Sequence, residues 1–310
     1  MKTILITGCC GFIGSHLCNF YLRKNFNVIG IDNLLTGDIK NIDILQKNKN
    51  FEFINEDVCN AISINKKIDY ILHFASTASP ADYLKYPLKT LNIGAVGTEN
   101  MLKLALKNKS IILVASTSEV YGDPLEHPQN ETYFGNVNPV GPRGVYDEAK
   151  RFLEAITTAY KKKFKLSVRI ARIFNTYGPN MRVNDGRAIP NFINQCLKNK
   201  EITIYGNGNQ TRSFCYIDDT IDGIHKLLKS NYQLPVNIGN PNEYSIIKLV
   251  EIIKKLTKSN NQITYLDLPE NDPKIRKPNI SLAKNILGWS PKIQLEEGLS
   301  NTIIYFKKTI

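Results

Sequence analysis

Two short segments of this sequence carry residue types that can move a proton and a hydride together. Ser116-Thr117-Ser118-Glu119 puts three hydroxyls and a carboxylate at the end of an apolar run. Tyr146-Asp147-Glu148-Ala149-Lys150 places a phenol and an ammonium four apart in a stretch, Val145–Tyr160, whose spacing predicts a helix, so both side chains share one face. An ammonium beside a phenol favours the phenolate and lowers its pKa from about 10 toward the working pH, which makes tyrosine a general base. Such a base takes the proton of an alcohol while a nicotinamide takes the hydride. Tyr-x-x-x-Lys alone is also an ordinary surface pair, so the assignment depends on the rest of the chain.

The N-terminal segment supplies that context. Thr3–Thr7 is a short β-branched run, followed by Gly8-Cys9-Cys10-Gly11-Phe12-Ile13-Gly14 and the apolar-periodic Ser15–Leu22. A strand that enters a helix through Gly-x-x-Gly-x-x-Gly lets the backbone approach a pyrophosphate and presents helix N-terminal amides to it. A second strand, Asn27–Ile31, ends at Asp32. A carboxylate there can accept hydrogen bonds from both ribose hydroxyls and repels a 2′-phosphate, so the sequence predicts NAD rather than NADP.

Strands and helices alternate through the first half, which predicts an α/β fold with a doubly wound parallel sheet of the Rossmann type. The strands expected are Thr3–Thr7, Asn27–Ile31, Phe51–Asn55, Asp69–Ala75, Ile111–Ser116 and Leu166–Arg172, with helices at Pro87–Lys107 and Val145–Tyr160. Beyond Asn175-Thr176-Tyr177-Gly178-Pro179 the rhythm breaks. Helices are expected at Ala188–Leu197, Ile217–Lys229, Ser245–Leu256 and Ile280–Ile286, punctuated by Asn240-Pro241-Asn242 and Asn271-Asp272-Pro273. The division that follows is an NAD-binding domain over 1–175, with elements around 213–240 returning to it. Residues 176–212 and 241–310 form a smaller α/β lobe for substrate.

Composition fits an intracellular enzyme. The 310 residues are enough to bury a substantial core. The first strand begins at Thr3, which leaves no room for a signal peptide, and no apolar run approaches membrane-spanning length, so a cytoplasmic protein without a membrane partner is expected. Cys9, Cys10, Cys18, Cys59, Cys196 and Cys215 show no Cys-x-x-Cys spacing and read as reduced thiols. His16, His73, His127 and His225 form no ligand pattern, so no metal is expected. The net charge of +12 comes from 40 basic and 28 acidic residues. The basic residues are scattered apart from Lys161-Lys162-Lys163, which argues against nucleic acid and suits attraction of a polyanionic substrate.

Longer motifs narrow the chemistry. Ser116–Asp123 (STSEVYGD), Gly135–Arg143 (GNVNPVGPR), Tyr146–Arg151 (YDEAKR), Arg169–Pro179 (RIARIFNTYGP), Tyr205–Phe214 (YGNGNQTRSF) and Leu287–Pro291 (LGWSP) run almost end to end. With them the chain resembles the extended short-chain dehydrogenases of the nucleotide-sugar epimerase/dehydratase family, and within it the branch that converts UDP-glucuronate to UDP-xylose. Ala149 stands where that branch has glycine, and Gly144-Val145 precedes the tyrosine where a small residue and cysteine are commoner.

The resemblance implies roles. Tyr146, with Lys150, would take the 4-hydroxyl proton, and Thr117 would bond the same oxygen. A carbon 4 ketone turns the carbon 6 carboxylate into part of a β-keto acid, which loses carbon dioxide through an enolate, and NADH then returns its hydride. Ser118 replaces the acid that related 4,6-dehydratases use to protonate a departing hydroxyl, and Glu119 would assist proton transfer near carbon 5. The implied NAD contacts are Gly8, Gly11, Phe12, Ile13, Gly14, Asp32, Asn33, Thr36, Gly37, Asp57, Val58 and Ala75, with Tyr146 and Lys150. The implied substrate contacts are Arg212 and Arg276 on the diphosphate, Asn175 beside it, Tyr205 on uracil, Gln210, and Lys89 on the sugar carboxylate. Arg187 or Arg182 is a further candidate. Relatives pair as homodimers through the helices at Pro87–Lys107 and Val145–Tyr160. Ala95, Met101, Leu102, Ala105, Phe152, Ile156 and Ala159 would supply apolar faces there, unless they bury against the chain's own sheet. A UDP-sugar 4-epimerase or a 4,6-dehydratase is the alternative enzyme, and an idle NAD- or nucleotide-sugar-binding regulator the alternative of another class.

Overall fold

The computed structural model describes residues 1–267 and 275–310. The turn at Asn271-Asp272-Pro273 lies outside the described residues. Seven parallel strands form the central sheet: β1 (Thr3–Thr7), β2 (Asn27–Asp32), β3 (Phe51–Asn55), β4 (Tyr70–His73), β5 (Ile111–Thr117), β6 (Val168–Ile173) and the later strand Pro235–Ile238. They are ordered Pro235–Ile238, β6, β5, β4, β1, β2, β3, so the chain moves outward from β1 in one direction and then returns to continue in the other. That reversal between β1 and β4 opens a crevice at the carboxyl ends of the strands. The strands are apolar on both faces, as in Ile4, Leu5 and Ile6, because helices cover the sheet on each side.

The nucleotide loop is shaped by contact distances that exclude side chains. A Cβ on Gly14 would stand 1.9 Å from the Gly8 carbonyl oxygen, and one on Gly8, at φ +71°, would stand 2.9 Å from the Phe74 and Ala75 backbone. The helix Phe12–Arg23 begins there with no side-chain cap and no acidic residue in its first turn. Its leading amides are thus left facing the crevice. β4 stops at His73, two residues before the predicted end. The Phe74 and Ala75 amides leave the ladder and donate to Thr7 Oγ1, at 3.1 and 3.0 Å.

The predicted helix Pro87–Lys107 is continuous in path but contains a π turn, Ile93–Gly97, between Pro87–Asn92 and Thr98–Asn108. It passes very close to the helix Gly144–Phe164: a Cβ on Gly94 would fall 2.7 Å from the Ala149 carbonyl oxygen. Glu154 on the latter helix binds the Arg172 guanidinium at 2.9 and 2.8 Å and accepts from Ser116 Oγ at 2.5 Å. These bonds tie the helix to the ends of β5 and β6.

Two helices go beyond the sequence reading. Pro80–Lys85 is too short to show a period, although Ser79 caps it and Pro80 opens it. Leu295–Thr309 does show one, with Leu295, Leu299, Ile303 and Phe306 buried at helical spacing. In the second half, Thr211–Ser213 pairs antiparallel with Glu243–Ser245 and parallel with Ile275–Arg276. Arg276 and Arg212 are register partners in that small sheet.

Candidate active site

A cleft of about 860 Å³ runs from the glycine loop across the ends of β1, β4, β5 and β6 to the second-half strands. Every cofactor residue expected from sequence borders it, as do Thr117, Ser118, Glu119, Tyr146, Lys150, Asn175, Arg182, Arg187, Tyr205, Gln210, Arg212 and Arg276. Lys89 does not. It lies exposed on the outer side of Pro87–Asn92, where its charge acts on Asp57. A helical period puts a residue on one face only, and Lys89 falls on the solvent face.

At the cofactor end, Asp32 accepts the Cys10 amide and the Leu34 amide, both at 2.9 Å. Burial raises its pKa, and those two bonds oppose the rise. Asn33 Nδ2 donates to Asp57 at 2.9 Å, which joins the ends of β2 and β3. The glycine cradle, the uncapped helix and the carboxylate fit a dinucleotide.

At the other end, Tyr146 is buried and stacks on Tyr83, with ring centroids 5.2 Å apart and an interplanar angle of 10°. Lys150 Nζ donates to the Ala115 carbonyl at 2.8 Å and lies 5.7 Å from the centre of the Tyr146 ring. Burial pushes Lys150 down to about 8. Sequence reasoning expects a lowered tyrosine pKa; in the protein alone it is raised. Burial is the main cause and the Glu119 charge adds to it, while a bond from Thr117 works the other way. Both side chains border the cleft, and desolvation dominates the phenol.

Arg276 makes contacts that the sequence does not foresee. Its guanidinium forms a buried ion pair with Glu119, donates to Gly122 O at 2.9 Å and reaches Ser118 Oγ at 3.4 Å. It therefore touches the catalytic candidates Glu119 and Ser118 while bordering the same cleft as Arg212. Arg143 pairs with the other Glu119 oxygen. Burial alone would raise the Glu119 pKa, but Arg276 and Arg143 outweigh it and hold it at about 2. Arg187 is bound to Asp185, and its charge also acts on Tyr146. Arg182 pairs with Asp82. Arg212 borders the cleft half-buried, with Nη1 donating to the Thr211 carbonyl at 2.9 Å. Sequence reasoning missed Arg143 and Tyr83. Arg143 lies one helical step before Tyr146, a spacing that could have revealed it; nothing local sets Tyr83 apart from a core aromatic.

Comparison with known proteins agrees with this geometry. The family described as GDP-mannose 4,6 dehydratase matches residues 5–302. The chain belongs to the nucleotide-sugar epimerase/dehydratase family of extended short-chain dehydrogenases. It is 48% identical over 309 residues to UDP-glucuronic acid decarboxylase 1 of Xenopus tropicalis, covering 100% of this chain and 73% of that protein. UDP-glucuronic acid decarboxylase 4 of Arabidopsis thaliana is 44% identical, covering 99% of this chain and 69% of the relative. Among solved structures, UDP-glucuronic acid 4-epimerase from Bacillus cereus in complex with UDP-glucuronic acid and NAD superposes with a TM-score of 0.88. That match has 30% identity and covers 100% of both chains.

Proposed function

We propose that this enzyme decarboxylates UDP-glucuronate to UDP-xylose through a 4-keto sugar, with NAD recycled within each turnover. The observation that carries the reading is the cluster beside Tyr146. Two arginines, Arg143 and Arg276, pair with the two oxygens of one carboxylate, Glu119, and line this part of the cleft with guanidinium groups. That environment suits a uronate and disfavours a departing hydroxyl, which needs an acid. Ser118 offers only a hydroxyl, and Glu119 is ionised. The decarboxylase names of the relatives that span this chain support the same choice.

The chain's own residues divide the work. Asp32, Asn33 and the glycine loop would hold the adenosine half of NAD, and Tyr146 and Lys150 the nicotinamide half. When bound, NAD supplies the hydride acceptor, and its cationic nicotinamide favours the phenolate. Tyr146 takes the proton of the 4-hydroxyl, and Thr117 bonds that oxygen. Lys150, fixed on Ala115 O, holds positive charge behind the phenol. Arg276 and Arg143 stabilise negative charge as the carboxylate leaves and the enolate forms. Arg212, Gln210, Asn175 and Tyr205 line the part of the cleft left for the UDP moiety.

A 4-epimerase is the second reading, because the Bacillus cereus relative binds UDP-glucuronic acid on the same fold. Incubation of the purified protein with UDP-glucuronate and trace NAD separates the two. UDP-pentose and carbon dioxide are expected; a UDP-uronate with inverted carbon 4 and no gas would establish the epimerase.

We also propose a homodimer through the faces of Pro87–Asn108 and Gly144–Phe164. Leu88, Val96 and Phe152 are exposed there, whereas Met101, Leu102 and Ala105 pack inside the chain's own core and leave the interface set. Six unpaired cysteines support a reducing compartment, the cytoplasm. Among the described residues no helix is long and apolar enough to cross a membrane.

A further inference from the structure

Turnover of a uronate consumes one proton that neither Tyr146 nor NAD provides. This statement rests on the decarboxylase reading above. The proton that Tyr146 takes from the 4-hydroxyl is the one it gives back, and the hydride that leaves carbon 4 returns to it. Breaking the bond between carbons 5 and 6 releases carbon dioxide and leaves the electron pair on the enolate. Carbon 5 then takes a proton that water must supply. Glu119 does not carry it near neutral pH, since burial is outweighed by Arg276 and Arg143 and the carboxyl is held at about 2.

A second pocket, of about 210 Å³, adjoins the site. Arg143 borders both this pocket and the main cleft. Asp123, Asn136 and Asn138 are exposed and form its mouth, and Gly122 and Asp147 are buried at its floor. Gly122 is also the residue whose carbonyl accepts from Arg276, so one wall serves both spaces. Asp147 lines only the second pocket. It is 5% exposed, and its Oδ1 has no hydrogen-bond partner. A buried carboxylate oxygen in that state is costly when ionised, which favours the neutral acid.

We propose that Asp147 is the port through which the carbon 5 proton enters. Its carboxyl group takes a proton from water in the second pocket and passes it through water, past Arg143, to the enolate. The groups that face Asp147 suit a proton held near neutrality. Burial raises its pKa most, Glu119 and Glu148 add to the rise, and Arg143 and Arg276 oppose it, leaving it at about 7. Asp123, at the pocket mouth, is the remaining acid on that side. The aspartate adjoins the tyrosine in sequence yet faces away from the cleft. Consecutive helical residues point about 100° apart, which lets one turn serve both spaces.

The test is rapid mixing of the NAD-loaded enzyme with UDP-glucuronate, following absorbance of NADH. Its rise reports oxidation, and its decay reports the return of hydride after carbon 5 is protonated. Asp147→Asn should leave the rise within about twofold of wild type and slow the decay by about 10²-fold or more, the scale of a lost acid catalyst. Asp147→Glu should restore much of the decay. In the wild type the decay should slow as pH rises through about 7, as the donor form is lost, and Asp147→Asn should lose that dependence. An unchanged decay in Asp147→Asn, or a rise and decay slowed equally, would overturn the proposal, the latter because it marks a residue that only positions Tyr146. Should the wild type release no carbon dioxide at all, the decarboxylase reading fails instead.

Discussion

Residue by residue, the site is a small cluster of charges whose pairing decides which groups can hold a proton. Tyr146 and Lys150 are legible from spacing alone, since a helix puts positions four apart on one face. The role of Arg276 is not, because its partner Glu119 lies 157 positions away and meets it only through the fold. Tyr146→Phe removes the titrating group and keeps the stacked ring, so turnover should fall by about two to four orders of magnitude with substrate binding largely retained. Steady-state kinetics alongside calorimetric titration of UDP-glucuronate will show this. The two arginines of the small sheet should then separate. Arg212→Ala should weaken UDP binding by about 1.5–3 kcal/mol, the value of a charge-assisted bond. Arg276→Ala should leave UDP binding nearly intact while lowering turnover and costing up to about 3–5 kcal/mol of stability, since a buried partner is lost. Equal loss of UDP affinity in both variants would return Arg276 to the diphosphate.

The secondary-structure elements bring those residues together through close backbone approaches. The helix bearing Tyr146 and Lys150 is held against its neighbour at Gly94, where no side chain fits beside Ala149. Gly94→Ala should push the two helices apart and lower both turnover and the melting temperature. Ala149→Gly keeps that carbonyl and removes only a methyl group, so it should cost no more than the roughly 1 kcal/mol of glycine in a helix. Thermal unfolding of the pair checks this, and a normal Gly94→Ala variant would contradict the packing. The Asp32 carboxylate sits at the end of β2 and is already oriented by two backbone amides. NAD should therefore bind far more tightly than NADP. Asp32→Ala should narrow that difference, as measured by cofactor titration at fixed salt.

For the whole molecule, the exposed apolar side chains of the two outer helices are the unspent surface. Phe152 is 48% exposed and Leu88 74%, side by side with residues that are fully buried in the core. Phe152→Glu costs little in an isolated chain, since substitutions at exposed sites usually stay within about 0.5 kcal/mol. At a dimer interface it should instead shift sedimentation from dimer to monomer. A variant that sediments as wild type does would place the interface elsewhere.

The nucleotide loop, the alternation of strands and helices and the shared face of Tyr146 and Lys150 were all legible in the order of the amino acids. All of these depend on neighbours within a few residues or on a short strand–turn–helix unit, where periodicity and glycine spacing are direct physical signals. That Arg276 and Arg143 enclose Glu119 and that Lys89 is exposed came from the folded chain. It alone showed that Met101 and Leu102 belong to the core and that burial raises the pKa of Tyr146. Those outcomes follow from desolvation and from contacts between segments far apart in the chain, and neither can be read from local spacing.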